Sequence, residues 1–258
     1  MSESPPACTG RDKLRLFREL FRGREDVYPK YWENLAKGKR GYSPACANEW
    51  KAGVCDKKRV KCGACPHRAF LPVSDPVILD HFKGRQIIGV YPMLEDETCW
   101  LLAADFDKTS WTDDVGAFVE TCRTVGVSPA VERSRSGNGA HVWFFFARPV
   151  AANVARRMGC FLLTETMARH PQLGMESYDR LFPNQDTMPR GGFGNLIALP
   201  FQGLALKQGN TLFLDDRWDP LPDQGAFLAG IPRLAPDFVE GLAREASRTG
   251  QVVGVRTA

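Results

Sequence analysis

The sequence lacks a long apolar run, a secretory start, an internal repeat and a large net charge. No stretch approaches the ~20 apolar residues that span a bilayer, which excludes a helical membrane protein. The first residues, MSESPPACTGRDK, show no charged start followed by an apolar stretch, so no secretory signal is read there. The expected compartment is the cytoplasm, where structural disulfides are rare. No period recurs along the chain, which excludes repeat arrays. Apolar residues make up 43% and charged residues 25%, so wholesale disorder is excluded as well. The 258 residues suffice for one large domain, or for one domain with a smaller attachment.

The net charge of +4 conceals an asymmetry. Residues 1–70 carry 16 basic and 8 acidic side chains, whereas residues 71–258 carry 18 and 22. A basic first quarter on an acidic remainder fits a polyanion held by one module while carboxylates elsewhere do different chemistry. A solvated basic helix pair accounts for the charge alone equally well.

Leu14, Phe17, Leu20 and Phe21 recur at helical spacing in RDKLRLFRELFR (11–22), with arginines on the other face. Residues 26–36 read as a second short helix. The Gly/Lys-rich stretch 37–44 then breaks the pattern before a cysteine cluster at 46–65, and 75–83 reads as a helix after Ser-Asp-Pro. From about residue 87 the texture changes. Strands are expected at IIGVYPM and CWLLAADFD (99–107), and a helix at 113–126 closed by Gly126. Further strands follow at PAVERS (129–134) and AHVWFFF (140–146), then the longest helix at 151–170. A Pro/Gly-rich loop at 179–194 leads to a last strand, NLIALPFQG (195–203).

From residue 99 this order is β-α-β-β-α-β, an RRM-like or ferredoxin-like split unit with strand order 4-1-3-2. The fold class is therefore α+β. The expected division is a disordered tail (1–10), a helical and cysteine-rich module (11–85), an RRM-like core (86–220) and a helical appendage (221–258). Cys99, Cys122, Cys160 and the run Trp143–Phe146 read as core, Cys8 falls in the tail, and His81 and His170 are expected at the surface or at helix ends.

In that topology the end of the first strand, the hairpin from Ser134 to Gly139, His141 and the loop 179–195 meet at one sheet edge. Asp105 and Asp107 are two apart on a strand, so their carboxylates share a face and need a counter-charge, for which a divalent metal is the simplest choice. A third acid, Asp179 or Asp186, would complete the cluster. Opposite it, the loop Ser136-Gly137-Asn138-Gly139 can turn backbone N–H groups toward an anion, with Arg133, Arg135, Ser136 and His141 adding charge and donors. A metal cluster facing a triphosphate cradle suits in-line phosphoryl or nucleotidyl transfer with two metal ions.

Several strings carry a family likeness. DFD at 105–107, Ser136 to His141 in SGNGAH, and a later Asp before a strand entry resemble motifs I, II and III of the archaeo-eukaryotic primase superfamily. More narrowly, YSPACANEW, ETCWLLAADFDK, ERSRSGNGAHVWFFF and SYDRLFPNQD…GGFGNLIALPFQG resemble the primase–polymerase domain of TOTE conflict systems, with CRISPR-associated primase–polymerases as similar relatives. The resemblance spans roughly residues 15–205. It implies an archaeo-eukaryotic primase catalytic core in which Asp105, Asp107 and a third acid, best matched by Asp179, hold two Mg²⁺ or Mn²⁺ ions. It further implies that Ser136 and His141 bind the incoming NTP or dNTP with help from Arg135 and the loop backbone, and that Arg190 and Lys207 add phosphate contacts. Single-stranded DNA template and primer are the implied partners. Relatives sit in longer polypeptides with helicase or nuclease parts, so this chain is expected to be a stand-alone enzyme or an excised domain.

Cys46, Cys55, Cys62 and Cys65 are spaced C-x8-C-x6-C-x2-C, which suits a four-cysteine structural Zn²⁺ site in a loop too polar to fold by burial. His67 is a spare ligand. Trp50, Lys57, Lys58, Arg59 and Lys61 decorate this knuckle, as expected for a surface that attracts phosphates and stacks bases. Two other functions fit parts of the pattern: a non-catalytic RRM-like binding module with a zinc knuckle, and a two-metal nuclease.

Overall fold

The computed structural model describes residues 9–108 and 110–248. The expected tail, including Cys8, lies outside the described residues up to residue 8. Helix α1 (Gly10–Leu20) starts at a capping box between Thr9 and Asp12 and buries Leu14, Phe17 and Leu20 along one stripe. Where the spacing predicts a second helix, the chain instead forms a hairpin of β1 (Pro29–Asn34) and β2 (Lys39–Pro44). Tyr31 and Trp32 are strand formers, and the Asn34 side chain caps a tight turn that Gly38 closes in the left-handed region. That local chemistry outweighs the weak helical spacing. The cysteine-bearing loop follows, then α2 (Asp75–Phe82), begun at Ser74 as expected.

Strand β3 is only Gly89–Val90, and β4 runs Thr98–Asp107. Helix α3 (Trp111–Thr124), β5 (Ala130–Arg133), β6 (Gly139–Ala151) and α4 (Ala152–Arg169) match the expected elements. The fourth strand of the central sheet differs. It is β7 (Tyr178–Phe182), which lies inside the expected loop and pairs antiparallel with β4. The order β5-β6-β4-β7 puts β4 and β6 at the centre. The apolar NLIALPFQG contributes only β8 (Ile197–Ala198), which pairs with β3 in a separate two-stranded sheet. The chain continues through α5 (Gly203–Leu206), α6 (Gln224–Gly230), β9 (Arg233–Leu234) beside β6, and α7 (Pro236–Arg248).

Alternation along β4 separates two cores. Leu102, Ala104 and Phe106 join Val142, Phe144 and Phe146 under α3 and α4, and Val239 and Ala246 of α7 are buried in that core too. Leu101 and Ala103 face the other way, with Trp143 and Phe145, into a core shared with Phe17 and Phe21, Ile78 of α2, Ile88 and Leu228. Phe21 meets Trp143 and Phe145 edge-on at 5.0 and 5.4 Å. The run Trp143–Phe146 is thus buried on both faces. So are Cys99, Cys122 and Cys160. His81 sits in the last turn of α2 but is fully buried, not at the surface: Nδ1 accepts from the Ile88 N–H at 3.2 Å, and Nε2 lies 3.0 Å from the Pro200 carbonyl oxygen. No helix among the described residues is long and apolar enough to cross a membrane.

Candidate active site

Asp105 and Asp107 continue the face of β4 that carries Leu101 and Ala103, at the point where the apolar cover ends. Strand β7 brings in the third acid: one carboxylate oxygen from each of Asp105, Asp107 and Asp179 lies within 4.8 Å of the others. Asp186, the other candidate, is elsewhere, with its two oxygens accepting from Arg156 of α4 at 2.6 and 2.8 Å. Asp179 accepts from its neighbour Arg180 at 2.6 Å, which places one cation at the cluster. Lys108 instead donates to the Glu176 carbonyl at 2.9 Å.

Asp105 Oδ1 is buried and has no hydrogen-bond partner. Burial pushes this carboxyl up to about 6, His141 pulls it back, and Asp107 and Asp179 push it further. Three carboxylates sharing one space with an orphaned buried oxygen fit a hard divalent cation such as Mg²⁺ or Mn²⁺, which takes oxygen ligands.

His141 lies across from Asp105 in the β4–β6 register, its Nε2 3.7 Å from Asp105 Oδ1. Its other nitrogen, Nδ1, is 2.9 Å from Glu132 Oε2, and the same oxygen accepts from Trp143 Nε1 at 2.9 Å. Burial alone would depress the imidazole. Contact with Glu132 outweighs it, Asp105 and Asp107 add to the effect, and the value is held at about 9. Glu132 is 1% exposed. Sequence reasoning passed over it, although alternation in PAVERS puts it on the same strand face as Ala130 and opposite His141 in register.

The loop between β5 and β6 closes on itself. The Ser134 N–H donates to the Gly139 carbonyl at 2.9 Å, the Gly137 N–H donates to Ser134 O at 3.0 Å, and the Asn138 N–H donates to Ser136 Oγ at 3.2 Å. Gly137 has φ +78°, a conformation that side-chain-bearing residues rarely adopt. Asn210, also missed in the sequence, donates from Nδ2 to the Arg135 carbonyl at 3.3 Å. Lys207 stands three residues before it, at the end of α5. The Arg135 guanidinium lies over the Tyr31 ring of the hairpin, 4.6 Å from its centroid.

Residues 12–242 match the profile of the family described as TOTE conflict system, Archaeo-Eukaryotic Primase domain. The chain belongs to this family. No curated protein matches it. Among solved structures it is similar to the polymerase domain from Mycobacterium tuberculosis Ligase D in complex with DNA, at 13% identity and a TM-score of 0.45, over 94% of this chain and 90% of that one. It is also similar to the AEP domain of the cyanophage S-2L primase-polymerase, at 12% identity and a TM-score of 0.32, over 78% of this chain and 98% of that one. At those scores neither neighbour bears on the chemistry of this chain.

Elsewhere in this primase-family domain, Cys46, Cys55, Cys62 and Cys65 line one small cavity that also includes His67. Among the described residues, the four sulfurs do not meet the close spacing seen in the acidic triad. Trp50 is 68% exposed, and Lys57 lies over its ring at 5.0 Å while pairing with Glu49. Lys58, Arg59 and Lys61 are exposed. Arg190 does not join the triad. It lines a cleft with Arg24, Gly63, Arg68 and Phe193, where Gly63 packs so closely that a Cβ there would lie 2.0 Å from the Gly191 carbonyl oxygen. The same loop is held by the Met188 N–H donating to Glu97 Oε1 at 3.0 Å. Glu97 precedes β4, so this cleft lies toward the end of the strand away from Asp105 and Asp107.

Proposed function

We propose that this domain is a DNA-template-dependent primase–polymerase, transferring a nucleotidyl group from an NTP or dNTP to a primer 3′-hydroxyl or to a first nucleotide. The observation that carries the proposal is the convergence of Asp105, Asp107 and Asp179 within 4.8 Å, facing His141. A binding module gains nothing from acids aimed at a polyanion, and the SGNGAH loop beside the acids favours synthesis over a two-metal nuclease.

Asp105, Asp107 and Asp179 would hold the Mg²⁺ or Mn²⁺ ions. The chemistry supplied by ions bound there is activation of the attacking hydroxyl and neutralisation of charge at the α-phosphate. His141 donates from Nε2 to a phosphate oxygen, its ring fixed by Nδ1 on Glu132. Arg135 and Ser136 hold the β- and γ-phosphates, on a loop whose shape the internal bonds of the Gly137 and Asn138 N–H groups fix. The hydroxyl oxygen then bonds to the α-phosphorus as the bond to pyrophosphate breaks. Lys207, on the segment that braces the loop, adds long-range attraction for the triphosphate.

In this proposal the four cysteines would draw together to hold a structural Zn²⁺, and Trp50, Lys57, Lys58, Arg59 and Lys61 present a template-binding surface that continues toward Arg190. Helicase or nuclease domains of a larger system are the further partners in this proposal. The test is incorporation of labelled nucleotides on a single-stranded template with Mn²⁺ or Mg²⁺, wild type against Asp105→Ala/Asp107→Ala. Labelled product that the double variant loses by about 100-fold or more supports the proposal. Product unchanged in the variant, no product with either metal, or template degradation overturns it.

A further inference from the structure

The hairpin of β1 and β2, which the sequence disguises as a helix, reaches the nucleotide loop through the ring of Tyr31. The Arg135 guanidinium rests 4.6 Å from the centroid of Tyr31, and Tyr31 in turn meets Tyr42, its partner in the hairpin register, at 5.4 Å and 67°. The hairpin is itself anchored. The Tyr31 N–H donates to the Ile87 carbonyl at 2.9 Å, and Lys30 bridges to Ile88.

At the triad, Arg180 is spoken for by Asp179, and elsewhere in the domain Arg24 pairs with Asp26 and Arg156 with Asp186. Among the described residues no carboxylate pairs with Arg135. A guanidinium held by the face of an aromatic ring is oriented without having its N–H donors consumed, so all of them remain available to an anion. The Asn210 side chain fixes the backbone of the same residue from the other side. The loop is therefore braced twice, and its one free cation is aimed rather than neutralised.

We propose that Tyr31 is a positioning residue for the nucleotide: its ring holds the Arg135 guanidinium over the loop 134–139, so that the β1–β2 hairpin forms one wall of the triphosphate site. This rests on the nucleotidyl-transfer proposal above, since the anion in question is the triphosphate that proposal places there.

The experiment measures steady-state extension with varied ATP and dATP, and equilibrium binding of the same two nucleotides with Mn²⁺ and no template, for Tyr31→Ala, Tyr31→Leu and Tyr31→Phe. The Leu variant keeps apolar bulk in the hairpin without a π face, and thermal melts confirm that each variant folds. Loss of the ring face raises KM and the dissociation constant for nucleotide about two- to thirty-fold, the range for one cation–π contact, and leaves kcat and the KM for template unmoved. Tyr31→Phe restores wild-type values. In an Arg135→Ala background, Tyr31→Leu adds no further loss. An unchanged nucleotide KM in both the Ala and Leu variants, an equal loss in the Phe variant, or a loss that persists without Arg135 overturns the assignment of Tyr31 alone. A wild-type protein that neither binds nor incorporates nucleotide overturns the transfer proposal, and Tyr31 with it.

Discussion

Removing the Glu132 carboxylate tests the wiring behind His141. Its Oε2 is the acceptor for two buried donors, His141 Nδ1 and Trp143 Nε1, each at 2.9 Å. Glu132→Leu fills similar volume but leaves both N–H groups without a partner in a place water does not reach. Each orphaned donor costs about 1–3 kcal/mol, so the variant is destabilised by about 2–6 kcal/mol. For a chain of this size that lowers the melting temperature by roughly 5–20 °C. The assay is thermal melting in parallel with urea unfolding, read alongside nucleotide incorporation. Pairing the change with Trp143→Phe removes one of the two stranded donors, so the penalty of Glu132→Leu is smaller by about 1 kcal/mol or more in that background. Glu132→Gln retains an oxygen acceptor and loses less stability than Leu. Because His141 is released from its fixed orientation, the Leu variant also raises the KM for nucleotide. A melting temperature within about 1 °C of wild type, or a penalty identical with and without Trp143, refutes the shared-acceptor reasoning.

Other consequences can be checked as directly. Asp186→Asn leaves incorporation intact and affects only the Arg156 contact, whereas Asp179→Asn abolishes incorporation, because only Asp179 stands in the triad. Millimolar Mn²⁺ raises the melting temperature of the wild type but not of Asp105→Asn, and the variant is the more stable protein without divalent ions, since it relieves a buried carboxylate pressed by Asp107 and Asp179 whose Oδ1 makes no hydrogen bond; equal metal-induced shifts in both would refute this. His81 is buried, which holds its imidazole at about 4 against an ordinary 6.5. The unfolded chain therefore takes up that proton first, so the stability this site contributes is complete above about pH 6.5 and declines as pH falls toward 4. By pH 4.5 the loss reaches about 2–3 kcal/mol in urea unfolding, and His81→Gln flattens that slope. Elemental analysis of the purified protein gives zinc, and Cys62→Ser/Cys65→Ser removes it; metal-free wild-type protein would refute the knuckle proposal.

Legibility followed the strength of local signals. DFD, the Gly-Asn-Gly loop and the long apolar strands 99–107 and 140–146 dictated their own conformation, and the sheet assembled around them. What was hidden depended on competition between segments. NLIALP is more apolar than YDRLF, yet it is YDRLF that pairs with β4, because Leu181 and Phe182 supply one residue to each core while Ile197 and Leu199 are taken by the second core beside β3. The hairpin at 29–44 was hidden because charged residues at helical spacing concealed two strand-forming aromatics. Asp179 was found, but its separation from Asp186 needed Arg156, a residue on a helix that no motif mentions. Glu132 and Asn210 touch motif residues from outside the motif, and Arg190, adjacent in sequence to the right loop, lies toward the wrong end of it.

The sharing of one sheet face between catalytic acids and apolar cover sets a limit on how this domain can be trimmed. Leu101, Ala103, Trp143 and Phe145 are roofed by Phe17, Phe21 and Ile78, all from the first 85 residues. A fragment begun at residue 86 would keep every acid of the triad, yet it would bare a continuous strip of aromatic and aliphatic surface immediately beside them. Such a fragment self-associates through the strip, burying the approach to its own carboxylates. A fragment that keeps this strip covered therefore begins at α1.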